Sequence, residues 1–304
     1  MKIGVQFAVT GYTVDPVTLA RSLEEARFES YWAPEHAVLP TRPSRTFPMT
    51  GGPIPDVYGQ MADPFVLLSV MAGVTSTLRL GTGVCLVPEH HPLILAKSVS
   101  TLDRFSGGRF LFGLGTGWLP EVTDLFLDQP DKPWKYTLES VEAMKALWRD
   151  GRAAYDGDLV RFPELICDPR PVQTPHPPVI IGASPSPLAM RRIVRHGDGW
   201  IAMGIGPEGI AAARAELTRE CELVGRDPST IEISVGVRDA TPQVQRRFED
   251  AGADRLIVLL YNHPGHEVPI EDWPAIGAQG LTSPPPVAAD TLRALEEIQS
   301  RAGL

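Results

Sequence analysis

The sequence predicts a (β/α)8 barrel, and three observations predict it. Short apolar runs alternate with amphipathic stretches of helical spacing eight times along 304 residues. The runs are nearly continuous in apolar residues, as parallel strands covered on both faces are, rather than alternating as half-solvated strands do. The length is that of one such barrel with insertions. An open doubly wound sheet shares the alternation, but eight units close a barrel more readily than they extend a sheet. The expectation is one barrel domain over residues 1–304 with long rim loops.

The elements follow in order. "KIGVQFAV" (2–9) reads as the first strand, and "DPVTLARSLEEARFES" as its helix, with Asp15 able to cap and Pro16 at the first helical position. "YWAPEH" (31–36) is the second strand and "DPFVLLSVMAGV" (63–74) opens the second helix. "LRLGTGVCLV" with "HPLILAKSVSTLDRFS", then "GRFLFGLGTG" with "YTLESVEAMKALWRDG", supply units three and four. "AAYDGDLVRF" (153–162) reads as an inserted hairpin. "PPVIIGAS", "DGWIAMGI", "TIEISVGV" and "DRLIVLLY", each followed by a helical pattern, complete eight units; the last helix is "AADTLRALEEIQSRAG".

Composition narrows the partners. A net charge of -9 without a run of Lys or Arg argues against a nucleic-acid or anionic-membrane surface, and leaves a small molecule as the expected partner. Three widely spaced cysteines, Cys85, Cys167 and Cys221, suit reduced thiols, and no apolar run approaches a membrane span, so a soluble cytoplasmic protein is expected. The 30 prolines gather at 40–64, 163–187 and 264–286, which predicts ordered rim loops; 37–62 is the candidate lid.

In such barrels chemistry sits where strands end and βα loops begin. Glu35-His36 ends strand two, and an imidazole there suits proton movement beside a reacting carbon or, alternatively, anchoring of a lid. Gly81 and Gly83 in "LGTGV" mark a bulge or a close backbone approach. "GLGTGWLPE" resembles a phosphate cradle, with backbone N–H groups and Thr116 converging on an anion, or is simply a tight turn. Ser184 and Ser186 in "IGASPSP" either bind phosphate or cap the next helix. The clusters "PEHHP" (88–92) and "NHPGHE" (262–267) fit no metal-ligand spacing, so no metal site is expected. Arg191, Arg192 and Arg195 read as a solvated face.

Together "WAPEH", "LRLGTGV", "HPLILAKSVSTLDRFSGGRFLFGLGTGW", "PVQTPHPPVIIGAS" and "RHGDGWIAM" resemble the luciferase-like monooxygenase superfamily, and more narrowly its branch using the deazaflavin F420. The resemblance runs from residue 1 to about 240 and fades beyond "YNHPGHE". It implies that His36 is the active-site histidine, with Glu35 its acidic neighbour near the flavin. It implies that the Gly83-Val84 bulge, with a non-prolyl cis peptide, lies behind the central flavin ring. Thr116, Gly117 and Trp118, with Gly182, Ala183 and Ser184, match the ribityl phosphate side. Arg42, Arg45 and Lys97 are candidates for the anionic F420 tail. Trp118 stands where some relatives place a carboxylate acid, a departure from sugar-phosphate dehydrogenase chemistry. The family expectation is a homodimeric oxidoreductase acting on a small organic substrate with F420, or with FMN in the monooxygenase branch, whose members often end strand four with Asn and hydroxyl residues rather than "GLGTG"; a catalytically silent flavin-binding relative is the third reading, against which His36 speaks.

Overall fold

The computed structural model describes residues 1–11, 13–48, 51–260 and 288–304; the "NHPGHE" cluster and the rest of 261–287 lie outside the described residues. Eight parallel strands close a ring. They are β1 (Lys2–Gln6), β2 (Ser30–Ala33), β3 (Arg79–Thr82), β5 (Phe110–Gly115), β8 (Val179–Gly182), β9 (Gly199–Ala202), β10 (Glu232–Val237) and β11 (Arg255–Leu259), paired in that order. Pairing of β11 with β1, from Lys2 with Arg255 to Gln6 with Leu259, shuts the barrel. The eighth-unit count read from the sequence therefore holds.

Two elements depart from that reading. Strand three is interrupted after Thr82 and resumes as β4 (Cys85–Leu86), which pairs with the end of β5. The inserted hairpin runs further than expected, as β6 (Arg152–Asp156) against β7 (Arg161–Ile166).

Eight helices each open on proline: α1 (Pro16–Glu25), α2 (Pro64–Ala72), α3 (Pro92–Phe105), α4 (Pro120–Thr123), α5 (Pro133–Asp150), α6 (Pro187–His196), α7 (Pro207–Val224) and α8 (Pro242–Asp250). Proline suits that first position because its missing N–H would have no helical partner there and its φ is already helical. Asp15, Asp63, Ser186 and Thr241 accept N–H groups of the first turns of α1, α2, α6 and α8. Among the described residues one more helix, α9 (Ala288–Ala302), follows the undescribed segment. Among the described residues no helix is long and apolar enough to cross a membrane.

The barrel interior is filled by Trp32, Leu111, Ile180, Ile201, Ile257 and Leu259, with Val84 packed against them. Gly81 is where it is because of Trp32: a Cβ at 81 would lie 2.5 Å from the indole. The close backbone approach expected at Gly81 is thus to the protein's own ring. Below, at the N-terminal ends of the strands, Arg255 is fully buried. Its guanidinium forks onto both Glu29 oxygens at 2.8 Å, reaches Ser234 Oγ at 3.0 Å and pairs with Glu232, while its plane lies 5.4 Å from the Trp32 ring. This floor carries structure. The strand ends expected to carry chemistry lie at the opposite end.

Candidate active site

The Gly83-Val84 peptide is cis, as the resemblance implies. The bulge is held by Gly83 N–H on the Ala33 carbonyl (2.7 Å) and by Gln6 Nε2 on the Gly83 carbonyl (2.8 Å). It turns Val84 inward between the ends of β5 and β8: a Cβ on Gly115 or Gly182 would come within 2.9 or 2.8 Å of a Val84 methyl. Side-chain-free strand ends around one aliphatic residue make a smooth apolar floor at the mouth.

Glu35 follows β2 and is buried. One oxygen accepts the Leu86 N–H at 2.5 Å and the other faces His90 Nε2 at 2.9 Å. Ligand-type atoms of Glu35, Cys85 and His90 all lie within 4.8 Å of one another. Burial and the Glu35 charge push the Cys85 thiol up, so it stays protonated. For His90, burial opposes the charged form, but the hydrogen bond and charge of Glu35 outweigh it and raise its pKa. The trio therefore reads as a hydrogen-bonded brace tying the end of β2 to β4.

Glu89 stands beside the brace. Burial and then the Glu35 charge lift its pKa to about 7, against the hold of the Ala37 amide. Its Oε2 is buried without a partner among the described residues, and Oε1 lies 3.9 Å from where a Gly117 Cβ would be. Because the folded protein binds this proton more tightly than the unfolded chain, Glu89 favours folding below about pH 4.5 and that contribution is lost as pH rises towards 7. Glu89→Gln is expected to be more stable than the parent at pH 8 and no more stable at pH 4.5. Urea titrations at the two pH values check this; equal differences would contradict the placement of the charge.

His36 comes next along the chain and is half-buried. Its Nε2 accepts the Trp118 indole N–H at 3.2 Å, and Tyr58 and Trp118 pack edge-on at 4.9 and 5.9 Å between ring centres. Phe47 closes the group at 5.1 Å from Tyr58 and 6.0 Å from Trp118. Burial lowers the His36 pKa to about 4, with Glu35 partly opposing. The imidazole is thus neutral at pH 7.

The segment 37–62 supplies Phe47 and Tyr58. Ser44 clamps the segment to the rim through its N–H and hydroxyl on Glu121 (2.7 and 2.9 Å), as does Arg45 on the Trp118 carbonyl (3.3 Å). Thr116, Gly117 and Trp118 extend from β5. Gly182, Ala183 and Ser184 extend from β8, the Ala183 carbonyl accepting the Trp200 indole N–H at 2.9 Å. Strands β2, β3, β5 and β8 are consecutive in the ring, so every expected site residue falls on one half of the rim.

Some expectations resolve differently in detail. Ser186, not Ser184, caps α6; Ser184 stays exposed beside the strand end. Lys97 points to the Asp168 carbonyl, so of the tail candidates Arg42 and Arg45 remain at the rim. Arg192 is not simply solvated: it lies 4.5 Å over the Trp134 ring. Sequence reasoning missed Phe47, Tyr58, Glu89 and His90. The signal for the last two was the place of "PEHHP", one turn after the third strand and at the mouth, not its metal-ligand spacing.

An apolar floor, glycine-opened strand ends and two buried polar atoms without a partner among the described residues, His36 Nδ1 and Glu89 Oε2, fit a flat polar-edged ring such as a flavin. Comparison with known proteins agrees. A protein of Mycobacterium tuberculosis (strain H37Rv) described as uncharacterized is 38% identical over 206 residues, 66% of this chain and 72% of that one. The F420-dependent hydroxymycolic acid dehydrogenase of the same strain is 30% identical over 221 residues, 71% of this chain and 56% of that one. The pyrimidine monooxygenase RutA of Cronobacter sakazakii is 31% identical over 204 residues, 63% and 59%. Residues 11–263 match the family model for luciferase-like monooxygenases, and the chain belongs to that family.

Proposed function

We propose that the protein is an F420-dependent oxidoreductase that passes a hydride between the deazaflavin and a small organic substrate. The observation that carries this reading is His36, a neutral imidazole at a strand end with one ring nitrogen buried and without a partner among the described residues, walled by Phe47, Tyr58 and Trp118. Similarity to the F420-dependent dehydrogenase supports the cofactor.

The bound deazaflavin would supply hydride chemistry, which belongs to the cofactor. The protein's own part is positioning. Gly83 and Val84 would back the ring; Thr116, Gly117 and Ser184 would meet its phosphate side, with the exposed Arg45 and Arg42 towards an anionic tail. His36 would meet the substrate atom that gains or loses a proton, and the aromatic wall would keep water away from it. Glu35 would hold the His36 segment in place through the brace.

Similarity to RutA favours a second reading, an FMNH2-dependent monooxygenase, since the glycine-rich rim suits either phosphate. Paired assays without and with oxygen decide between them: the proposal expects oxidation of reduced F420 by small carbonyl compounds without oxygen, and substrate-linked oxygen consumption with FMNH2 in the aerobic assay would support the second.

The proposal includes a cytoplasmic setting, with Cys85, Cys167 and Cys221 as free thiols, and a homodimer. Val66 and Val70 on α2 and Ile94 and Phe105 on α3 are 68%, 40%, 67% and 70% exposed, an apolar face suited to a second copy. Light scattering should give twice the 33.1 kDa chain mass, and Val66→Lys should shift it towards one chain; a monomeric parent would contradict this.

A further inference from the structure

Trp118 does something for His36 that packing alone does not. An indole N–H only donates, so the 3.2 Å bond to Nε2 requires a lone pair on that nitrogen. The indole is itself fixed, edge-on to Phe47 and Tyr58 and with its backbone carbonyl held by Arg45. Burial keeps the ring uncharged at pH 7. A neutral imidazole with Nε2 occupied carries its one proton on Nδ1. That nitrogen is buried and has no partner among the described residues.

We propose that Trp118 is a positioning residue that locks His36 in the Nδ1–H tautomer, so that the group His36 receives is an acceptor oxygen, as of a ketone or aldehyde, rather than a donor. The lone pair that would make His36 a base is taken by Trp118. The ring is therefore arranged to polarise a carbonyl, and the site favours reduction of a carbonyl substrate with an apolar body against Phe47, Tyr58 and Trp118. An anionic substrate is disfavoured by the charge of Glu35, which acts on the ring. The substrate half of this inference rests on the oxidoreductase reading; the tautomer does not.

The test uses the full-length protein without added cofactor, labelled with 15N at histidine. Long-range proton–nitrogen spectra at pH 7.5 report which ring nitrogen is protonated. His36 is identified among the seven histidines by the signal lost in His36→Asn. The proposal expects Nδ1–H in the parent and a shift of most of the population to Nε2–H in Trp118→Phe, which keeps an aromatic ring and removes the donor. Turnover of a ketone by that variant should fall about tenfold, the worth of one hydrogen bond. An Nε2–H or doubly protonated His36 in the parent overturns the proposal, and so does Nδ1–H retained in Trp118→Phe. The parent spectrum is decisive even where the variant folds poorly. Because no cofactor is present, failure of the F420 reading and failure of the tautomer lock are read separately.

Discussion

His36→Ala is expected to lower turnover by about 10² to 10⁴, the usual contribution of a positioned acid, base or proton-bearing group. The side chain contributes little to the fold, because Phe47, Tyr58 and Trp118 hold one another at 5.1 to 6.3 Å without it. Cofactor affinity should therefore stay within a few-fold of the parent, since the floor of Gly83 and Val84 and the glycine-rich rim are untouched. Steady-state kinetics alongside a binding titration separate the two effects. Normal turnover on the true substrate would leave His36 as a lid anchor.

The largest effect on stability is expected at the opposite end of the barrel. Arg255→Met removes the cation that Glu29 and Glu232 both face, leaving two carboxylates beside a buried apolar side chain. Breaking a buried pair from one side costs more than the pair is worth, here on the order of 3 kcal/mol, because Glu29 and Glu232, each only about a quarter exposed, lose the cation they share while Lys2 still faces Glu232. Replacing Glu29 and Glu232 by Gln in the same chain should recover part of the loss. Urea unfolding measures both. A loss below about 1 kcal/mol would mean that water reaches the floor and screens the pair.

The barrel was legible because its determinants are local. Apolar runs such as "VIIG" and "RLIVL" specify buried strands, and a capping residue followed by proline announces a helix at Asp15-Pro16 and Asp63-Pro64. The same prolines also misled, since clusters read as loops included helix starts such as Pro187. The strand-end residues were legible for a related reason: the fold dictates where strand ends go, so Glu35, His36, Val84, Gly117 and Ala183 had to share a rim. Partnerships across that rim were not. Trp118 meets His36 across 82 residues, and Glu35 meets His90 across 55, distances over which no sequence period speaks. Phe47 and Tyr58 reach the site through a loop whose path depends on Ser44 finding Glu121. Gly81 shows the other limit: a glycine in a strand announces a close neighbour, and only the structure says that the neighbour is Trp32.

The central claim is the choice of cofactor, because hydride or oxygen chemistry follows from it. The phosphate side at Thr116, Gly117 and Ser184 would serve FMN as readily as F420, and Glu35 and His36 suit both. Only the lactyl and glutamyl tail of F420 needs cations outside the mouth, where Arg45 and Arg42 stand exposed. Titrating the purified protein with F420, FMN and, without oxygen, FMNH2, while following the fluorescence of each, tests this directly. The account predicts about micromolar or tighter binding of F420, near 8 kcal/mol, and markedly weaker binding of both FMN forms. Equal or tighter binding of FMNH2, with oxygen consumed when substrate is added, would contradict it.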